Sequence, residues 1–453
     1  MFVRWFSRSA FVALMVVLSA GVGCPGPRSD SSTSDRTTGP AGGTASAPGK
    51  TAEKAAEPTR VSTTDAATVE AAKKLLDGAG PNAEYSLLPG GVLTSIVIRD
   101  GAVLSAENFS LIGKLADLET LQIFNCRLLN DEMAAQLAGL KNLNSLAITN
   151  SVINDPTVEM IAKSFPNLTD LDLSSNTNIT NSTMKIICGL KKLQRLTLIQ
   201  DRFNDLGTSH LSKLEDLRSL DLRGNMEAAD MTMEIVGALP KLAALKHRST
   251  AVTDYGVENL ARSKTLDSLL MQDFAVTGQA GQHVAKLPAL TQLEVFRCQG
   301  FDSDGVLALK GMKLSRLTLR DLPAVDDRAM DVLADLPALK RLYLHELSSI
   351  SDAGFQKLST LKSLEVLDIW AAPQMTDATV AVIAGLPSLK ELSLRTTDIT
   401  DAAVDELLKM SNLQSLTLKD NGKLTPAGLE KLNQRKWTKL DTGATPATGT
   451  ESP

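Results

Sequence analysis

Residues 168–193 read LTDLDLSSNTNITNSTMKIICGLKKL, and Leu193 opens another copy of the same pattern. The frame is Leu-x-x-Leu-x-Leu, then a polar turn, then a short run of helical character. Its first Leu recurs at 93, 118, 143, 168, 193, 217, 242, 266, 290, 314, 339, 364, 389 and 413, always 24 or 25 residues apart. Three positions later stands Leu in thirteen of the fourteen copies and Ile96 in the other. Five positions later the residue is apolar in thirteen, with His247 the exception. An extended chain alternates its side chains, so Leu171 and Leu173 share one face while Asp170, Asp172 and Ser174 share the other. One six-residue strand cannot bury such a face alone. The copies must therefore stack, strands parallel at about 4.8 Å, around one continuous core.

The return leg of each copy carries its own punctuation. Asn130-Asp131, Asn154-Asp155, Asn204-Asp205, Thr253-Asp254, Ser351-Asp352, Thr376-Asp377 and Thr400-Asp401 mark the turn. An Asp there is expected to accept hydrogen bonds from the free N–H groups of the following helical turn. Pro156 and Pro426 fall just inside helix starts, where a missing N–H costs nothing. Pro240, Pro288, Pro337 and Pro387 close helical legs in Leu-Pro-x-Leu joints, because proline cannot extend a helix.

This frame resembles the leucine-rich repeats, whose period is about 20–29 residues. The resemblance implies an α/β solenoid shaped as a horseshoe, with parallel strands on the concave face and helices on the convex face. About fourteen repeats then span 93–440. Cys126 and Cys298 stand eight residues after the leading Leu, where Asn176, Asn225 and Asn421 stand in other copies. Here the repeat resembles the cysteine-containing subclass of the ribonuclease-inhibitor-like superfamily, best known from F-box substrate receptors. Most other copies hold Thr, Ser, Asp, Ala or Leu at that position, and no F-box-like segment precedes the repeats.

Outside the repeats the chain changes character. Residues 1–24 carry Arg4 and Arg8 before an apolar run around Phe11–Leu18, too short to span a bilayer and suited to a signal peptide. The run ends Leu18-Ser19-Ala20-Gly21-Val22-Gly23-Cys24, which resembles a bacterial lipobox, with Gly21 where Leu is usual. The resemblance implies a secreted lipoprotein lipidated at Cys24 and anchored to the membrane of the cell envelope, with the outer membrane favoured by Pro25 over the Asp of inner-membrane retention. Cleaved secretion is the alternative. Residues 25–62, rich in Pro, Ser, Thr, Gly and Ala, read as a disordered tether, and 441–453 as a disordered tail. Residues 63–92 are expected to cap the solenoid. Asp65 starts a helix with Val69, Ala72, Leu75 and Leu76 on one face, Gly78 ends it, and Leu87 and Leu88 lead into the first strand. Trp437, 24 residues after Leu413, opens a truncated fifteenth strand and covers the last Leu layer.

The chemistry is sparse. Besides Cys24, the three remaining Cys and the four His are scattered over separate copies, no Cys-x-x-Cys occurs, and nothing calls for a metal or a cofactor. Cys126 and Cys298 lie seven copies apart, roughly 33 Å at the strand spacing, far beyond the ~7 Å a disulfide tolerates. Buried free thiols follow. His247, at an inward strand position, reads as a hydrogen-bonded core imidazole. No Ser/His/Asp order, glycine-rich phosphate loop or paired acid points to an enzyme. A formal charge of −5 gives no electrostatic case for nucleic acid.

The informative residues are those facing out of the sheet, at the second, fourth and sixth positions after each leading Leu. In copies 4–7 they form a mixed solvated set, including Asp170, Asp172, Arg195, Asp221, Arg223, Lys246 and Arg248. In copies 9–13 they include Phe296, Arg316, Arg320, Arg341, Tyr343, His345, Asp368, Trp370 and Arg395. Tyr, Trp and Arg dominate interface hot spots, so this patch is the candidate surface for a protein or peptide ligand. The plainer reading is that arginines and aromatics stack on one another across strands. A glycan or peptidoglycan ligand suits the same residue types, and a spacer without a ligand is the third reading.

Overall fold

The computed structural model describes residues 61–443. The export segment with Cys24, nearly all of the 25–62 tether and most of the 441–453 tail lie outside the described residues. One sheet of sixteen strands runs the length of the described chain, each strand bonded to its sequence neighbours. Fourteen of them, β2 (Val92–Ile98) through β15 (Ser415–Lys419), are the fourteen copies, and every pairing among them is parallel. β1 (Ala83–Leu88) departs from that pattern. It turns back antiparallel on β2, which leaves Leu87 and Leu88 exposed rather than in the Leu columns. At the far end β16 (Lys439–Asp441) is the truncated fifteenth strand. Trp437 packs against the core there, its indole N–H donating to Leu432 O at 2.8 Å and Arg435 stacked on its ring.

The inward columns behave as the alternation requires. Leu168, Leu171 and Leu173 and their equivalents are at most 3% exposed and form one continuous core. The opening helix, Ala66–Gly78, is capped by Asp65 and buries Val69, Ala72 and Leu76 against that core. Asp117 anchors the segment before it, accepting from Ser62, Thr63 and Thr64. Among the described residues no helix is long and apolar enough to cross a membrane.

Two local devices turn each strand into its return leg. The residue seven after the leading Leu adopts a left-handed backbone in twelve copies, and only Gly224 among the twelve is glycine. Asn125, Ser175, Arg297, Glu346 and Thr396 occupy the same conformation, which costs an L-residue roughly 1–2 kcal/mol. Compensation comes from the neighbouring copy. Asn125 N–H donates to Thr149 O, Arg297 N–H to Arg320 O and Glu346 N–H to Trp370 O, extending the strand ladder one residue past its end.

The second device corrects the expectation about the turn aspartates. The residue before the Asp caps the helix: the side chains of Asn130, Thr253, Ser351, Thr376 and Thr400 accept from N–H groups of the first turn. The Asp, one place later, points away along the solenoid and clamps the cap of the next copy. Asp352 accepts from Thr376 N–H at 2.9 Å, Thr376 Oγ1 at 2.6 Å and Thr379 Oγ1 at 2.5 Å. Asp131, Asp155, Asp205, Asp230, Asp254, Asp327, Asp377 and Asp401 reach the following copy in the same way. In most of these copies the carboxylate is matched by the residue three after the clamped cap. It is a Thr that donates to the carboxylate, as Thr157, Thr183, Thr232 and Thr379 do, or a Gly, as at 256, 354 and 428, where a Cβ would collide with it; Ala280 and Ala403 hold the position after Asp254 and Asp377.

These clamps set the acid stability. Burial works to raise the pKa values of Asp131, Asp155 and Asp352, but the Thr and backbone donors outweigh it and the net shift is downward. A carboxylate held below its unfolded value contributes stability above about pH 4, and that stability is lost as pH falls through the folded value. Asp352→Ala is expected to cost about 1–2 kcal/mol near neutral pH, measured by urea unfolding. The difference from wild type should shrink toward pH 2.

Candidate functional site

Each outward side chain of the sheet sits in a cross-strand row fixed by the parallel register. One row runs Phe296, Arg320, His345, Trp370, Arg395, Lys419, one residue from each of six successive strands. These are β10 (Gln292–Phe296), β11 (Arg316–Arg320), β12 (Arg341–His345), β13 (Val366–Ala372), β14 (Glu391–Thr397) and β15. A second row runs Glu294, Thr318, Tyr343, Asp368, Ser393, and a third Gln292, Arg316, Arg341, Val366, Glu391. All nine predicted site residues therefore fall on five adjacent strands of one face.

The first row is a stack. The Arg320 guanidinium lies 4.3 Å from the Phe296 ring centre and 5.2 Å from that of Trp370, reaching across the intervening His345. Arg395 covers Trp370 at 5.3 Å, Arg297 covers Phe296 at 4.8 Å, and Arg316 covers Tyr343 at 4.8 Å. His345 sets its ring edge-on between Tyr343 and Trp370 at 6.1 and 5.9 Å. The plainer reading of stacking across strands thus describes the geometry. Stacking also locks long side chains in place, so a ligand meeting this face would have less rotamer entropy to quench.

Charge pairs the stack from the sides. Arg395 Nη2 lies 3.0 and 3.1 Å from the two Asp368 oxygens, and His345 Nε2 lies 3.3 Å from Asp368 Oδ2. Burial works to raise the Asp368 pKa, but His345 and Arg395 outweigh it and hold the carboxyl below its ordinary value. Arg320 pairs with Glu346 at 3.2 Å. Glu346 was not among the predicted site residues because it stands at the left-handed seventh position, off the alternation that picks outward residues.

The polar atoms of this face are incompletely satisfied. Among the described residues seven buried side-chain N or O atoms make no hydrogen bond, and four belong to this patch: Thr318 Oγ1, Arg320 Nε, His345 Nε2 and Arg395 Nε. The His345 nitrogen is near enough to Asp368 for an ion pair yet lacks hydrogen-bond geometry. Beside the stack, a depression of about 370 Å³ is lined by Tyr343, Val366, Asp368, Glu391 and Ser393. Another of about 270 Å³ is lined by Arg223, Lys246, Gln292, Glu294 and Arg316. A larger one, about 550 Å³, lies off this face where Lys340 and Lys390 share the Glu365 carboxylate.

Elsewhere the chemistry stays structural. Cys126, Cys188 and Cys298 are buried free thiols, as expected, and burial pushes the last two up to about 12. His247 is fully buried with both ring nitrogens against backbone carbonyls, Ala228 O at 2.8 Å and Leu222 O at 3.2 Å. Among the described residues no three His, Cys, Asp or Glu are placed to hold a metal.

A second exposed feature escaped the sequence reading. Leu206, Met231 and Tyr255 are 72, 53 and 60% exposed. Each is the second residue of its helical leg, in three successive copies. Most other copies place a small or polar residue there, such as Ser182, Ala353 or Ala378. Reading the repeats column by column on the helical side, rather than only on the strand side, would have found it.

Comparison with known proteins agrees with the repeat. A leucine-rich repeat family model matches residues 166–185. No curated protein matches the chain. Among solved structures, a chain of the yeast Rad7 and Elc1 complex aligns with a TM-score of 0.52 at 17% identity, covering 80% of this chain and 90% of that one. An internalin from Listeria monocytogenes aligns at 0.47 and 19% identity, covering 83% and 95%. A leucine-rich repeat protein of Leptospira interrogans aligns at 0.45 and 20% identity, covering 82% and 96%. By period, sheet topology and likeness alike, the fold is a leucine-rich repeat solenoid.

Proposed function

We propose that this chain is a non-catalytic scaffold that binds a protein or peptide through the concave face at β10–β14. In the same proposal it is exported and held at the cell envelope by lipid on Cys24, with the 25–62 segment as tether. Leucine-rich repeat scaffolds are generally protein-binding, and the yeast Rad7 structure is itself a complex with Elc1. The observation that carries the reading is the row of arginines and aromatics stacked along one face of the sheet, Phe296, Arg320, Trp370 and Arg395, with Arg316 on Tyr343 beside it. Tyr, Trp and Arg are the residue types that dominate interface hot spots.

The test is capture from the native cell envelope by the full chain and by its Trp370→Ala/Arg341→Ala variant. Trp370 caps no core layer, so the variant should fold with little loss of stability. Removing its ring is expected to cost about 2 kcal/mol or more of binding, enough to lose the partner. Equal capture by both proteins would move the site off this patch, and the Leu206–Met231–Tyr255 column would be the alternative. Retention only on multivalent peptidoglycan would favour a glycan ligand, and no capture by either protein would favour a spacer.

A further inference from the structure

We infer that the concave site recognises an acidic peptide segment of its partner, through a carboxylate held between Arg316 and Arg341. This rests on the concave face being the binding surface and adds the chemistry of what it binds. The arginines of this half of the sheet divide into two groups. Arg320, Arg395, Arg248 and Arg297 each have an acid of this chain within salt-bridge distance: Glu346, Asp368, and Asp273 for the last two. Arg316 and Arg341 have none among the described residues. The acids flanking them in the same region, Glu294 on β10 and Glu391 on β14, pair with neither.

The two unpaired arginines are also direct neighbours. Arg316 and Arg341 are register partners on β11 and β12, on strands about 4.8 Å apart. Like charges directly opposite on adjacent strands destabilise a sheet. An anion between them would turn that repulsion into two charge-assisted contacts with planar, fork-shaped donors that suit a carboxylate. Arg316 already lies over the Tyr343 ring, 4.8 Å from its centre, while Arg341 is exposed and free to close from the other side. Around this pair the face offers what a peptide needs besides its acid. The Tyr343 ring and Val366 supply apolar contact. The depression that Arg316 shares with Lys246 and Arg223 adds two cations on its far side, with Glu294 between those and Arg316.

The experiment uses fluorescein-labelled deca-glutamate and deca-glutamine peptides, titrated by anisotropy with the full chain and two variants, Arg316→Gln/Arg341→Gln and Trp370→Ala. The expected result is saturable binding of deca-glutamate by wild type, weakening with added salt, and no binding of deca-glutamine. The paired-arginine variant should bind deca-glutamate about tenfold or more weakly. Thermal unfolding at low ionic strength separates this from misfolding, because removing the like-charge pair should leave the midpoint unchanged or raised. Deca-glutamate bound equally by wild type and the paired-arginine variant, but lost in Trp370→Ala, would overturn the carboxylate site at Arg316 and Arg341 and leave the concave reading standing. Binding unaffected by either variant would overturn both. No binding of deca-glutamate by wild type would overturn the acidic preference alone.

Discussion

Leu171→Asp is expected to unfold the copies on either side of β5 (Asp170–Asp172) while the distant copies stay folded. Leu171 is 2% exposed and lies in register between Leu146 and Leu196 in the continuous Leu column. A carboxylate there has no partner among aliphatic neighbours, and burying it unpaired belongs to the rare class of substitutions costing more than about 4–5 kcal/mol. Because each copy touches mainly its neighbours, the damage should spread by nearest-neighbour coupling and then stop. Hydrogen exchange is the measurement. Amides from 143 to 217 should lose protection, while those of β12–β15 should keep theirs. A variant with native protection throughout would mean that position 171 does not face the core, and the repeat frame would fall with it.

The second large effect has the opposite sign. Asp201→Asn is expected to stabilise the protein, and by more as pH rises. Asp201 stands eight residues after Leu193, the corner position that Asn176 and Asn225 occupy in the flanking copies. Each of those asparagines donates from Nδ2 to two backbone carbonyls: Asn176 to Ile148 O and Leu173 O, and Asn225 to Leu198 O and Leu222 O. Each also accepts one backbone N–H from the preceding copy, Ser151 N–H and Phe203 N–H respectively. Asp201 keeps the accepting half, taking Asn176 N–H at 2.9 Å, but its Oδ2 is buried and makes no hydrogen bond. Burial, with Asp172 nearby, pushes its carboxyl up to about 8. The folded state therefore holds a proton that the unfolded chain releases near pH 4. Stability falls as pH rises from about 4 to about 8, by at most ~1.4 kcal/mol per pH unit. Asparagine has no proton to lose and restores the donor. The unfolding free energies of the two proteins should lie close at pH 4 and diverge by a few kcal/mol by pH 8. A gap of constant size across that range would show that Asp201 does not change protonation there.

How far the sequence carried depended on whether a feature was written in one residue column. The Leu columns were, and they predicted the fourteen parallel strands and their inward face together, though not the antiparallel β1. The left-handed seventh position was not, because Asn, Ser, Gln, Arg, Glu, Ala and Thr all fill it. What holds Glu346 at φ 56 is its N–H bond to Trp370 O of the neighbouring copy rather than a glycine. The turn aspartates were visible, but a single copy cannot show that Asp352 serves the cap at Thr376 instead of its own helix. The stacked face was legible because alternation and register together place Phe296, Arg320, His345 and Trp370 in one row. Glu346, the counter-charge of Arg320, lies outside that alternation and was missed. The exposed Leu206–Met231–Tyr255 column was missed because apolar residues on a helical leg are ordinarily assigned to the core.

The most direct test of the concave surface is to place a photo-crosslinking amino acid at Val366 or at Met231 in the full chain and irradiate intact cells. Val366 lies between Arg341 and Glu391 in register and belongs to the depression beside Tyr343. Met231 is exposed in the apolar column on the helical side. The expected result is a discrete adduct from position 366, lost when Trp370→Ala is added, and none from position 231. An adduct from 231 alone would contradict the assignment of function to the stacked arginine–aromatic face.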